Sequence, residues 1–441
     1  MADVLLNGGL QMKRLTLFLL TITAIFAFSF TALAAGTLTV QIDTKEKNGR
    51  SLVKEMGWQK ASLIVTDENG TVLASDDSGQ VKIRGNSTAG GEKKPYNIRF
   101  SKKTDLFGSG AAKTYCLLAN CFDPTLMRNS LALSLAKTMG LPMTPDFRQA
   151  EVYMDGVFMG SYQITGKIEA GKGRVDIDVE KGDFLLECER ERVEDGVTYV
   201  TVGGFRFSIS EPEEPDEEQL AHIQKVLDEL YETCGSGNYD LIQKKIDTDS
   251  FAKYYVLNEY FKSLDYGYSS TYFYCKDGKL YAGPVWDYDL SSGNVSGDKF
   301  FAYNVEAGQV NTGKTGTTGL FSVQCWYSLL CKNRLFRDDI RDAFEKYSPD
   351  MKKIYEPDGG IDACLSLYGS LYERNYAPVS DGGAGWVVSK DYSGLQRTPD
   401  QTFTENVEYL RTWLSNRFKW LETIIPTARF DSEVHYGHVA H

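Results

Sequence analysis

The apolar residues recur with period two in the first half of this chain and with period 3.6 in the second, and that switch limits the fold more than any other feature. "TLTVQIDT" (37–44) and "ASLIVTD" (61–67) alternate like strands, and "ENG" (68–70) reads as a turn. "QVKIRGNSTAGGEKKPYNIRF" (80–100) reads as a strand, a Gly/Ser/Thr loop and a second strand. "AEVYMDGVFMGSYQI" (150–164) is a hairpin about Asp155-Gly156, and "GDFLLECERE" (182–191) a further strand. One segment in this half, "TLMRNSLALSLAKTMGL" (125–141), carries helical spacing and stops at Gly140 before Pro142. The character changes at the acidic, proline-containing "EPEEPDEEQ" (211–219). Helical spacing then marks 220–234, 250–264, 326–347 and 404–425, interrupted by a hairpin at 270–286 that turns on Asp277-Gly278. The expected class is α+β, with a β-rich N-terminal lobe (35–210), a helical C-terminal lobe (211–425) carrying the hairpin, and a tail (426–441).

The first 34 residues stand apart. After Met12, Lys13 and Arg14 precede an apolar run from Leu15 to about Phe30, and Ala32-Leu33-Ala34 follows as a small-x-small site. That is the layout of a cleaved signal peptide, with Met12 as the expected start, so the mature chain is expected to be secreted or at the cell surface without a stable membrane span. Eight cysteines in a secreted chain permit disulfides, but none has the spacing of a metal knuckle, and several are expected to be plain buried thiols. A net charge of −12 argues against nucleic acid as a partner.

Four histidines restrict the chemistry further: His222 in a polar helix, and His435, His438 and His441 at the C-terminus. A His-based hydrolase or zinc protease has little to work with, and H-E-x-x-H is absent. Carboxylates remain. In "LYAGPVWDYDLSSGN" (280–294) an apolar strand stops at Asp287 and Asp289. Hard dications take carboxylate oxygens and keep substrate phosphates as further ligands. Asp265 lies 22 residues earlier, across the hairpin, so folding the hairpin brings it near Asp287. Positive charge to meet phosphates is offered by Arg84, Lys93, Lys94 and Arg128, and the loop between Gly85 and Gly91 has backbone N–H groups that could cradle phosphate oxygens. That loop is neither a Walker A loop nor a kinase glycine loop, and on physics alone it reads equally well as a polar hairpin loop. The acidic pair would also suit a sugar-nucleotide transferase, although no parallel βαβ series is visible.

"RGNST…KKPYNIRF", "LLANCFDPTLMRNSLA", "YYVLNEYFKSLDYGYSSTYFY", "KLYAGPVWDYDLSSGN" and "LRTWLSNRFKWL", in this order over about residues 38–425, resemble the CotH (spore coat protein H) kinase family. The resemblance implies an atypical protein-kinase-like two-lobed fold that moves the ATP γ-phosphate to Ser or Thr of a protein substrate, with Mg²⁺ or Mn²⁺. By position it implies that Asp287 binds the metal with Asp289 as a helper, and that Asp265 orients or deprotonates the attacking hydroxyl. Lys94, with Lys93 and Arg84 in the same segment, would serve the phosphates, Arg128 would be a structural or phosphate-side cation, and Tyr281 would stack on adenine. Two positions depart from the pattern. Gly166 stands where a Glu would pair the N-lobe lysine, and Ser270 stands where many members have Asn. These departures keep a catalytically inactive binding module as the alternative.

Overall fold

The computed structural model describes residues 36–190, 193–296, 305–309, 326–391 and 394–427. The signal-peptide segment, the three C-terminal histidines and Cys325 lie outside these residues.

Strands β1 (Leu38–Thr44), β2 (Gln59–Thr66), β3 (Val72–Ile83), β4 (Tyr96–Thr104), β5 (Ala112–Leu118), β6 (Phe147–Met154) and β7 (Val157–Gly166) form a closed barrel in the order β1-β2-β3-β4-β5-β7-β6. Closure comes from β1 lying parallel to β6, in the register Leu38↔Ala150 to Ile42↔Met154, which leaves neither strand as a bare edge. The alternation seen in the sequence is the inside–outside alternation of this barrel: Leu38, Val40 and Ile42 of β1 and Ala61, Leu63 and Val65 of β2 are buried in one core.

A second, antiparallel sheet joins β8 (Phe184–Cys188), β9 (Tyr199–Val202), β10 (Phe205–Glu211), β11 (Thr271–Lys276) and β12 (Lys279–Ala282) in the order β12-β11-β8-β10-β9. The expected 270–286 hairpin is present as β11 and β12, but it pairs with β8, so this sheet draws strands from both sides of the composition change at 211. Strand pairing is decided by which apolar faces meet, and the sequence offers no register for it.

Among the described residues the helices are α1 (Arg128–Thr138), α2 (Glu217–Gly235), α3 (Tyr239–Lys245), α4 (Thr248–Phe261), α5 (Trp326–Leu330), α6 (Arg334–Tyr355), α7 (Gly360–Tyr376) and α8 (Phe403–Ile424). α2 opens on a capping box between Asp216 and Gln219, and α8 on one between Thr402 and Glu405. The helix expected over 326–347 is two helices, because the Asn333 side chain accepts the Leu335 N–H and starts a new helix there. α7 has no counterpart in the sequence reading. All eight of these helices place apolar residues in one core with the inner face of the second sheet. At its centre Arg417 and Glu259, both fully buried, form an ion pair at 2.8 Å. No helix among the described residues is long and apolar enough to cross a membrane. The seven described cysteines are buried free thiols. His222 is exposed on α2, its Nε2 3.2 Å from the Gly182 carbonyl oxygen.

Candidate functional site

The end of β3, the end of β5, β8 and the two ends of the β11–β12 hairpin surround a cavity of about 430 Å³. Its walls carry opposite charge. Lys54, Lys82, Arg84 and Lys167 contribute cations, while Glu187, Glu189, Glu194, Asp265, Asp287 and Asp289 contribute carboxylates. Three side chains on this wall, Asn120, Ser270 and Asp287, have left-handed backbones with φ of 49°, 52° and 66°. Such conformations persist only where surrounding contacts over-determine them.

Asp287 and Asp289 reach the cavity because the strand ends. The positive φ at Asp287 turns the chain, and Tyr288 between them is pinned into the core. Its N–H donates to Asn129 Oδ1 at 2.7 Å and its hydroxyl to Asn258 Oδ1 at 2.9 Å. The following segment is fastened by Asn294, whose Nδ2 donates to the Phe122 and Asp289 carbonyls at 2.8 and 2.7 Å. Asp265 lies in the loop after α4, which ends at Phe261. The Leu264 N–H donates to the Leu290 carbonyl at 3.1 Å, tying its loop to the acidic segment. Ser269 Oγ donates to Asp265 Oδ1 at 2.9 Å.

Burial, and the nearby charges of Asp287, Asp265 and Asp123, hold the Asp289 carboxyl well above the usual carboxylate range. Glu187 sits on the central strand of the second sheet opposite Tyr272. Burial, with Glu189 and Asp287 nearby, raises its carboxyl to about 7, although the Tyr272 hydroxyl bonds to it and works the other way. Sequence reasoning passed over Glu187. The available signal was a lone acid in the otherwise apolar run "FLLEC".

Of the residues singled out from the sequence, Arg84, Asp265, Asp287 and Asp289 meet at this cavity. The other four are elsewhere. Lys93 is buried beneath the loop, donating to the Ser161 carbonyl at 2.5 Å with its ammonium 4.7 Å from the Tyr162 ring centroid. Lys94 donates to the Ala89 carbonyl at 2.7 Å and braces the loop. Arg128 is buried, pairs with Asp123 and donates from Nε to the Ser291 carbonyl at 3.1 Å, clamping the acidic segment to α1. Tyr281 stacks on Tyr274, ring centroids 4.9 Å apart, further along the hairpin, and does not line the cavity. The aromatic side chain beside Asp287 in the cavity is Trp286, with the Arg84 guanidinium 5.5 Å from its ring centroid.

In the loop itself, the N–H groups of Ala89, Gly90 and Gly91 bond back to Asn86, Ser87 and Thr88, so the residues at the cavity are Gly85 to Thr88. Gly85 has φ 81°, and a Cβ there would fall 2.3 Å from Thr88 Oγ1.

Among the described residues, no three His, Cys, Asp or Glu side chains are grouped closely enough to complete a metal shell by themselves. The donor set fits the other kind of site. Magnesium and manganese are held by one or two carboxylates with phosphate oxygens and water, and the crowding of Asp287 and Asp265 on Asp289 is what a dication would relieve.

The fold and cavity define an α+β protein with a cleft whose walls carry opposite charges. The chain belongs to the CotH kinase protein family, whose model matches residues 81–421. No curated protein matches it.

Proposed function

We propose that this chain is a metal-dependent protein kinase with an atypical kinase-like two-lobed fold, moving the γ-phosphate of ATP to Ser or Thr hydroxyls of proteins outside the cell. The observation that carries this reading is the single cavity in which Asp265, Asp287 and Asp289 face Arg84, Lys82 and Lys167, in a chain of the CotH kinase family. Asp287, with Asp289 beside it, would hold Mg²⁺ or Mn²⁺. When bound, the dication neutralises charge on the phosphates.

The remaining work falls to the protein. Arg84 and Lys167 hold phosphate oxygens from the barrel side. Trp286 offers apolar surface to the base, the part first given to Tyr281. Asp265 accepts the proton of the attacking hydroxyl as its oxygen bonds to the γ-phosphorus, while the bond to the bridging oxygen breaks and ADP leaves. Lys94, Lys93 and Arg128 act at one remove: the first two hold the glycine loop, the third the acidic segment.

The experiment incubates the chain from Ala35 with γ-labelled ATP, Mg²⁺ or Mn²⁺ and a generic protein acceptor, beside Asp287→Ala. Label transfer that vanishes in the variant is the expected result. A second reading, a nucleotide-binding module without transfer, is favoured by Gly166, which supplies no carboxylate to pair a lysine. A metal-dependent thermal shift with ATP but no labelling of any acceptor or of the chain itself would select it. No shift at all would remove both readings.

A further inference from the structure

β7 ends at Gly166, whose backbone pairs with Tyr115 on β5. A Cβ at this position would lie 2.6 Å from Nη1 of Arg174 and 2.7 Å from its guanidinium carbon. The missing side chain is what lets Arg174 lie across the strand end.

Arg174 is 9% exposed, and its guanidinium carbon is 4.8 Å from the Tyr115 ring centroid. Nη1 donates to the Gly173 carbonyl at 3.2 Å. Among the described residues, Nε and Nη2, the two donors along one edge of the fork, have no hydrogen-bond partner. Leaving two buried donors of a charged group unpaired is costly, and that edge is the one that takes an oxyanion side-on through two parallel bonds.

The same side chain lines a second cavity of about 250 Å³, together with Lys137, Lys167, Asp146, Thr144 and Ser109. Lys137 pairs with Asp146, and Lys167 lies 3.4 Å from Glu169 and 3.2 Å from Glu213, which stand outside the lining. Within the lining itself three cations face one carboxylate, in a chain of net charge −12. With Glu169 and Glu213 counted, the three cations meet three carboxylates, so an anion here is held by directed bonds from the open edge of Arg174 and not by a surplus of charge. Lys167 belongs to both cavities, so this one adjoins the cleft without being part of it.

We propose that this second cavity binds a phosphate monoester, gripped side-on by Nε and Nη2 of Arg174, with Lys137 and Lys167 beside it. The site goes beyond the phosphoryl-transfer reading and stands whether or not the chain transfers anything.

The test is titration calorimetry of the full chain, without nucleotide and at constant ionic strength, using inorganic phosphate, O-phosphoserine and acetate. Wild type, Arg174→Gln and Arg84→Ala are compared. The expected result is saturable binding of phosphate or phosphoserine that weakens about tenfold or more in Arg174→Gln and is unchanged in Arg84→Ala. Equal affinity for the two phosphates marks a site for the free ion, and a preference for phosphoserine marks one for a phosphorylated chain. Loss in Arg84→Ala with retention in Arg174→Gln assigns the anion to the main cleft and overturns the proposal. So does acetate binding as tightly as phosphate, or no saturable binding of either phosphate. Should Arg174→Gln fail to unfold cooperatively, Lys137→Gln carries the test: weaker phosphate binding supports the site, and unchanged binding overturns it.

Discussion

The guanidinium of Arg84, at the end of a barrel strand, lies 5.5 Å from the ring centroid of Trp286, the residue before the first aspartate of the acidic segment. One contact thus spans the cleft between its cationic and acidic walls. Truncating either partner should loosen nucleotide binding with little effect on the fold, since both are only half-buried. Arg84→Ala and Trp286→Ala are each expected to weaken ATP affinity about tenfold, read by calorimetry, while thermal unfolding without nucleotide stays near wild type.

Asp289 gives a pH-dependent signature. Its carboxyl is raised in the folded protein by burial first and by Asp287, Asp265 and Asp123 next. A raised folded pKa means the native state binds more protons than the unfolded chain, so this group costs stability as pH climbs above the unfolded value. Asp289→Asn removes that cost. In metal-free buffer the variant should melt on the order of a few °C above wild type at neutral pH, and the gap should close toward pH 4. A gap that is constant with pH would count against the electrostatic account.

Lys93 works in the opposite direction. Burial lowers its ammonium to about 7 from 10.5. The unfolded chain therefore holds more protons between these values, and the group's penalty, complete below pH 7, fades as pH rises toward 10.5. Lys93→Met should show its greatest relative stability at or below pH 7, on the order of 1 kcal/mol or more after allowing for the lost Ser161 bond, and lose that advantage at alkaline pH. Urea unfolding at pH 6.5 and 9.5 reads the difference.

Arg417 and Glu259 are fully buried, and Arg417 Nε also donates to the Glu259 carbonyl at 2.7 Å. Removing one partner strands the other charge. Glu259→Gln or Arg417→Met should cost about 3–5 kcal/mol in chemical denaturation, whereas the double replacement should recover part of it.

Much of the chain's organisation was legible without coordinates. Period-two runs such as "TLTVQIDT" must present one face to an apolar core, and the 404–425 pattern must do so as a helix, because local backbone geometry sets both periods. The acidic pair and its distant partner Asp265 were legible for a related reason: a hairpin's two ends meet by construction. Tertiary contacts decided the rest. Barrel closure through β1 and β6, and the pairing of β11 with β8, join segments about a hundred residues apart in sequence, where no local signal operates. Lys93, Lys94, Arg128 and Tyr281 had the right chemistry for the cleft, but burial, loop bracing and ring stacking engage them elsewhere. Trp286 and Glu187 line the cleft because of how strands turn and pair. Residue type and spacing determine which chemistry a chain can offer, and packing, which depends on all the other residues at once, decides which of those groups face the same space.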